Sequence, residues 1–185
     1  MLKHLFTSKA RVKLLTIFLL RPDEEYFVRE LTRELDEQIN SVRRELDNLK
    51  KLGLLKSRAK NRHKYYAVNK QFPLFNELRT IIIKANPANE ALVKSISKMG
   101  SVDFLLLSGV FLQKESAVDL LVVGDLDKNH LEKFLDNLES AQPIKFSVLR
   151  KEDFEYRVKC RDQFTIDLIQ DSSNLIALNN LQIEL

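Results

Sequence analysis

The stretch INSVRRELDNLKKLGLLKS, Ile39 to Ser57, limits the folds open to this chain more than any other. Ile39, Val42, Leu46 and Leu49 recur at three- and four-residue spacing, which predicts the inward stripe of a helix. Gly53 sits where a helix ends in the left-handed conformation that glycine adopts without a side-chain clash. A strand-like run follows at once, so helix must pass directly into sheet. The other face of the helix shows Asn40, Ser41, Arg43, Arg44, Asp47 and Lys51, a polar and mostly cationic set.

Upstream, Ser8 is placed to cap a helix running to about Leu20. Val12, Leu14, Leu15, Ile17, Phe18 and Leu19 cover most of its circumference, so it is expected to be deeply buried. Arg21-Pro22-Asp23 breaks it. A short second helix is expected from about Phe27 to Leu35, with Val28, Leu31 and Leu35 on one face, and Asp36-Glu37-Gln38 makes a tight turn into the third. Downstream, Leu54–Ala59 and Lys64–Asn69 read as two strands joined by Lys60-Asn61-Arg62-His63, a cationic turn.

Three helices and a basic hairpin in this order describe a winged helix-turn-helix. Asn40 and Ser41, followed by Arg43 and Arg44, are types that reach base edges and phosphates in a major groove. Arg58, Lys60, Arg62, His63 and Lys64 would lay the hairpin over the backbone or minor groove, where contacts give salt-sensitive affinity without sequence information. A merely solvated basic face, or a protein-interaction module, is the competing reading. The charge favours DNA, because it gathers on the third helix and the hairpin. Tyr65 and Tyr66 are neighbours on a strand, so one of them must turn inward.

The runs LFTSKARVKLLTIFLL, YFVRELTREL, INSVRRELDNLKKLGLLKS and KYYAVN resemble a bacterial or archaeal winged-helix transcription regulator of the arsenical-resistance-repressor type, over residues 1 to about 70. The resemblance implies binding to operator DNA as a homodimer. The stretch 72–85 is a helix candidate whose Phe75, Leu78, Ile81 and Ile82 exceed what a small winged helix can bury. This helix, with the first, is expected to form a two-fold interface.

The net charge of +4 conceals two opposite halves. Residues 1–85 carry 19 Lys+Arg against 10 Asp+Glu, a net of +9; residues 86–185 carry 11 against 16, a net of −5. The basic half suits a polyanion and the acidic half does not. Cys160 is the one cysteine, so no intrachain disulfide can form, which fits a reducing compartment. No segment is long enough to span a membrane, and Leu14–Leu20 leads into charged residues rather than a cleavage site. A cytoplasmic protein with no membrane partner is expected.

Asn86-Pro87-Ala88-Asn89 reads as a linker. After it come a helix of about Ala88–Lys98 ending at Gly100, buried strands Val102–Ser108 and Ala117–Gly124, a helix over 128–139, a strand over 143–149, and a helix of about Lys151–Cys160. A helical stretch Phe164–Gln170 leads into the apolar run Leu175–Leu178. Strand, glycine loop, strand with Asp, then helix resembles the minimal nucleotidyltransferase fold. That family pattern has Gly-Ser, a later glycine, and Asp-x-Asp on the next strand, whose two carboxylates hold catalytic metals. Here the pair is Ser108-Gly109 in inverted order, the later glycine is Gln113, and the first carboxylate is Ala117; only Asp119 remains. The neighbouring strand offers Lys145 and no acid, and Phe111 and Leu112 would crowd a phosphate loop. Asp119 is then a structural residue accepting bonds from loop amides. Asp125 lies past the strand, Asp127 reads as a helix N-cap, and His130 and Cys160 read as surface.

The expected fold is α+β: an N-terminal winged helix-turn-helix with a dimerisation helix (1–85), then a nucleotidyltransferase-like α/β domain (86–185) that is inactive. The expected function is sequence-specific regulation of transcription, with the rear domain sensing or oligomerising. The partners are double-stranded DNA, a second copy, and an unidentified nucleotide or protein effector. No cofactor and no metal site are expected. An active nucleotidyltransferase of antitoxin type, targeted by the winged helix, and a nucleotide-binding sensor are the alternatives.

Overall fold

The computed structural model describes residues 2–60, 62–138, 140 and 142–181, without the side chains of Lys3 and His4. Asn61 in the expected hairpin turn and Glu139 at the expected helix end lie outside the described residues. The chain divides into two compact units, Met1–Ala85 and Asn86–Leu185. It is a mixed α and β protein with one sheet of three strands and one of four. Among the described residues, no helix is long and apolar enough to cross a membrane.

The first unit runs α1 (Leu2–Leu5), α2 (Lys9–Leu20), β1 (Glu25–Phe27), α3 (Val28–Glu34), α4 (Ile39–Leu52), β2 (Leu55–Lys60), β3 (His63–Val68) and α5 (Phe75–Lys84). Ser8 caps α2 by accepting from the Arg11 amide at 3.3 Å, one of the amides a helix start leaves unpaired. Leu14, Leu15, Ile17, Phe18 and Leu19 are all buried, so α2 is enclosed by its own unit. Asp36 takes a φ of 47° in the turn between α3 and α4. Gly53 ends α4 at a φ of 90°, and the Leu54 amide reaches back to the Leu49 carbonyl at 3.1 Å. Val42, Leu46 and Leu49 point into the core; Ile39 is only half-buried, because it stands at the open end of the helix.

The three strands pair antiparallel in the order β1-β3-β2. The short β1 was not legible in the sequence and is set by Glu25↔Ala67, Tyr26↔Tyr66 and Phe27↔Tyr65. Tyr66 is buried and Tyr65 half-buried, as strand alternation requires. Tyr26 packs edge-on against Phe18 at 5.6 Å.

In the second unit come α6 (Pro87–Ile96), β4 (Gly100–Leu107), a 3₁₀ turn Gly109–Leu112, β5 (Leu120–Leu126), α7 (Lys128–Asp136), β6 (Phe146–Leu149), α8 (Lys151–Lys159), α9 (Gln163–Gln170) and β7 (Leu175–Asn179). The sheet order is β6-β5-β4-β7, with β5 and β6 parallel and the other pairs antiparallel. Leu105, Leu107, Leu120 and Val122 pack with Leu92, Ile96, Leu131 and Leu135 of α6 and α7. Their neighbours Phe104, Leu106, Leu121 and Val123 pack with Phe154, Leu168 and Ile169 of α8 and α9. Helices on both faces explain why β4 and β5 read as unbroken apolar runs.

Several boundaries differ from the sequence reading. Asn86-Pro87-Ala88-Asn89 is no free linker: Asn86 caps α6 by accepting from the Ala88 amide at 3.1 Å, and Pro87 opens the helix, where its missing N–H costs nothing. Gly100 starts β4 instead of ending a helix. The strand expected over 143–149 forms only at Phe146–Leu149. Leu175–Leu178 is an edge strand beside β4. On α5, Phe75 and Ile82 are buried in their own core, which leaves Leu74 and Ile81 exposed and Leu78 half-buried. The surplus of apolar surface is smaller than expected, and the enclosed α2 has little to add to it.

Candidate nucleic-acid interface

The rotation of a helix decides which residues of α4 face outward. Asn40, Arg44, Asp47 and Lys51 stand at i, i+4, i+7 and i+11, one row along the solvent side, and all four are exposed. Arg43 lies beside this row, one turn before Asp47, and is exposed; Ser41 is half-buried on the opposite flank. Glu45, on the same helix, is buried. Its carboxylate accepts from Arg11 Nε on α2 at 2.9 Å and from Asn48 Nδ2 at 3.4 Å. Burial pushes the Glu45 carboxyl up, but hydrogen bonds from Ser8, Arg11 and Asn48 outweigh it and hold the group below its ordinary value. This pair fixes α4 against α2. Arg44 reaches Glu45 only at 4.0 Å, so its guanidinium stays available.

The hairpin residues separate by strand face. Lys60, Arg62 and His63 are exposed at the turn, with Arg62 at a φ of 62°. The His63 ring lies 5.6 Å from that of Phe27. Lys64 points toward α4: its Nζ is 3.9 Å from Asp47 and 5.0 Å from the centre of the Tyr66 ring. The contact with Tyr66 raises the Lys64 pKa. Arg58 is placed differently from the rest. Its Nε donates to Glu25 Oε2 at 2.7 Å and its Nη2 to Glu25 Oε1, so its fork is occupied within the sheet.

Two adjoining clefts of about 560 Å³ each lie between α3, the start of α4 and the hairpin. One is bounded by Arg43, Asp47, Arg62, His63 and Lys64. The other has Phe27, Arg29, Thr32, Arg33, Ile39 and His63. Thus Arg43, Arg62, His63 and Lys64 are brought together, while Asn40, Ser41, Arg44, Arg58 and Lys60 do not line these clefts. Arg29 and Arg33 were not picked out in the sequence. The available signal was their four-residue spacing on the short helix.

Ion pairing sorts the basic charge of this unit. Arg11 pairs with Glu45, Lys13 with Glu37, Arg21 with Glu34, Arg58 with Glu25 and Lys70 with Asp23. Among the described residues, no acid comes within ion-pair distance of Arg29, Arg33, Arg43, Lys60 or Arg62. Of these, Arg43 stands on α4, Lys60 and Arg62 at the hairpin turn, and Arg29 and Arg33 on α3, while Arg44 and Lys64 reach an acid only at 4.0 and 3.9 Å.

In the second unit, Asp119 lies just before β5 and is buried. Its Oδ1 accepts from the Val110 amide at 2.9 Å and its Oδ2 from the Lys145 amide at 2.8 Å. A side chain at Gly109 would stand 1.7 Å from Asp119 Oδ1, so the glycine makes room for the carboxylate. Gln113 adopts a φ of 53°, the left-handed conformation at the place where the resembled pattern carries glycine. The Ser108 hydroxyl donates to Asn174 at 2.6 Å, and Lys145 Nζ to the Ser116 carbonyl at 2.7 Å. Asp127 caps α7 by accepting from the Asn129 amide at 2.9 Å. Asp125 lies within β5, opposite Ser101, and not past the strand as expected, because β5 runs Leu120–Leu126; it is exposed, as are His130 and Cys160. Among the described residues, no group of three His, Cys, Asp or Glu is gathered as metal ligands would be.

No protein-family model matches the chain, and no curated protein does. Among solved structures, reduced HlyU from Vibrio cholerae overlaps 44% of this chain and 77% of its own, at 22% identity and a TM-score of 0.34. A possible transcriptional regulator from Methanosarcina mazei overlaps 49% and 78%, at 17% identity and a TM-score of 0.35. Sso10a-2, a DNA-binding protein from Sulfolobus solfataricus, overlaps 49% and 90%, at 19% identity and a TM-score of 0.36. Overlaps at these TM-scores carry no argument about what this chain does.

Proposed function

We propose that the chain is a winged helix-turn-helix regulator of transcription that binds double-stranded DNA. In this reading α4 enters the major groove with Asn40, Ser41, Arg43 and Arg44, and the β2–β3 hairpin crosses the backbone with Lys60, Arg62, His63 and Lys64. The carrying observation is the placement of cations without an acid partner: Arg43 on α4 and Lys60 and Arg62 at the hairpin turn lack one, and Arg44 and Lys64 reach an acid only at 4.0 and 3.9 Å, whereas Arg11, Lys13, Arg21, Arg58 and Lys70 are closely paired. A surface of unpaired guanidinium groups gains most from a polyanion, through released counterions. Arg58, held by Glu25, orders the sheet in this reading and does not touch DNA. Selecting bound sites from random duplexes with the full chain tests binding and specificity together. Absence of any retained duplex at low salt defeats the proposal.

The second unit, in the same reading, is a nucleotidyltransferase-like domain that performs no transfer and serves sensing or oligomerisation. Support comes from its element order and from Asp119, whose two oxygens are both engaged by backbone amides. Hard cations require several oxygen ligands, and Ala117 supplies none. Incubation with labelled ATP or CTP and magnesium tests this; transfer that is lost in Asp119→Ala overturns it. A dimer through Leu74, which precedes α5, and Leu78 and Ile81 of α5 completes the proposal and would set two α4 helices about one DNA turn apart. Sedimentation of the wild type against Ile81→Glu checks it. Regulation would then act by covering a promoter or releasing it.

A further inference from the structure

We infer that β7 is a docking edge at which two copies of this chain pair antiparallel, strand against identical strand, so that their four-stranded sheets join into one. The inference rests on the oligomerising role proposed for the second unit and gives that role a surface. β7 is the last strand in the order β6-β5-β4-β7, and among the described residues it is paired on one side only, with β4. An edge strand carries backbone groups with no ladder partner. The Asn180 amide donates to the Asp103 carbonyl at 2.8 Å, so alternation along the strand turns the Asn179 N–H toward the open side. The side chains are incompletely covered on both faces. Residues 104–107 of β4 and 120–123 of β5 are buried throughout, whereas Leu175, Ile176, Ala177 and Leu178 are only half-buried. Leu175, Ala177 and Leu178 pack on the α6 and α7 side, and Ile176 on the α8 and α9 side. One added strand would extend both cores at once.

Charge decides which strand that is. Ser172 to Ile183 contains no Asp, Glu, Lys, Arg or Pro, in a chain that is 30% charged. Native sheet edges are ordinarily guarded by charge or proline. The opposite edge, β6, has Lys145, Arg150 and Lys151 at its ends. In the other sheet, the edge strand β1 carries Glu25, and the edge strand β2 carries Lys56, Arg58 and Lys60. A charged strand laid on β7 would lose water from its charges and meet no opposite charge in return. The strand that fits is uncharged and apolar on both faces. Among the edge strands of this chain, β7 itself answers that description together with its flanks. Two copies about a two-fold axis are self-complementary, each donor of one meeting an acceptor of the other. The strand has five residues, and a register shift beside Ala177 interrupts its ladder with β4. The contact is therefore small and the association weak and reversible.

The test is sedimentation of the full chain over a range reaching about 200 µM, because so small a contact lies at the weak end of specific interfaces. Ile81→Glu protein, in which the α5 contact is disabled, serves as the background. It should still dimerise, and adding Asn179→Pro or Ala177→Lys should weaken that dimer about tenfold or more. Proline deletes the outward N–H and spares the bonds to β4; lysine sets like charges against each other across the axis. His130→Lys, the same charge on α7, should leave the dimer unchanged. In unaltered protein, the Asn179 amide should exchange its hydrogen about tenfold more slowly at high concentration than at low, a readout that needs no substitution. The inference is overturned if the dimer survives both β7 changes, if His130→Lys weakens it equally, or if Asn179 exchanges at one rate throughout. Any of these results leaves an oligomerising second unit that uses another surface. Ile81→Glu protein that stays monomeric overturns the oligomerising role as well. Thermal unfolding identifies any variant that does not fold, and for that case the Asn179 exchange decides.

Discussion

Replacing Asp119 by Ala separates a structural carboxylate from a catalytic one. The side chain is 2% exposed and accepts from two amides, Val110 at 2.9 Å and Lys145 at 2.8 Å. Hydrogen bonds to a charged group contribute about 1.5–3 kcal/mol each, and their donors become a burden when left unpaired. Both hydrogen bonds are only partly buried, so the expected loss is about 2–4 kcal/mol in place of the full sum. A unit of this size has a total stability of roughly 5–15 kcal/mol. The change would lower its melting point on the order of 10–30 °C. Asp119→Asn should fall between, because its amide group turns a donor toward one of the two N–H groups. The assay is denaturant unfolding followed by circular dichroism, with hydrogen exchange of the β5 amides assigning the transition to the second unit. The two units are expected to unfold separately. An Asp119→Ala protein within about 0.5 kcal/mol of wild type would refute the reasoning and return the residue to a functional role.

Other expectations follow from the first unit and from the loop before β7. Arg44→Ala should cost about 1–3 kcal/mol on the selected duplex alone, whereas Arg62→Ala should weaken all duplexes alike and reduce the salt slope by about 0.9; competition binding distinguishes them. Glu45 has a carboxyl pKa lowered in the fold, so its contribution is complete above about pH 4.3 and is lost as pH falls through the folded value. Glu45→Gln should therefore flatten the acid limb of the first unit's unfolding curve. The hydrogen bond from Lys114, then that from Ser173, holds Asp171 down at about 2. Its contribution is present above about pH 4 and disappears between there and about pH 2. Lys114→Met should move the Asp171 titration, followed by carboxyl carbon NMR, back toward the ordinary range.

The parts of the fold legible in the sequence are those that local chemistry specifies. Ser8, the three-and-four spacing from Val42 to Leu49, and Gly53 each fix their own neighbourhood, and α2 and α4 lie where these residues put them. Tyr66 turns inward because strand geometry alternates. What escaped was set by distant partners. Glu25–Phe27 has no pattern of its own and becomes a strand only because β3 lies beside it. Nothing local in the sequence marks Glu45 as buried; its place in the interior depends on Arg11, far earlier in the chain. Arg58 was visible as a basic residue, but its engagement depends on Glu25 in another strand. Arg29 and Arg33 share a cleft with His63 of the hairpin, a meeting of distant segments that a short helix does not announce. Asp119 was recognised as a loop acceptor because the missing acid at Ala117 and the inverted Ser108-Gly109 are written in the sequence itself. The identity of the two amides was not.

The bond between Arg58 and Glu25 spans the central strand and links the outer two, while Arg11 and Glu45 anchor α4 to the body behind it. Helix and hairpin are thus tied to one body like the jaws of a caliper. If the proposed function holds, a duplex between them would have to fit its own groove to that spacing. The deformation would then fall on the DNA, and pyrimidine–purine steps, which deform most readily, would be favoured at base pairs no side chain touches.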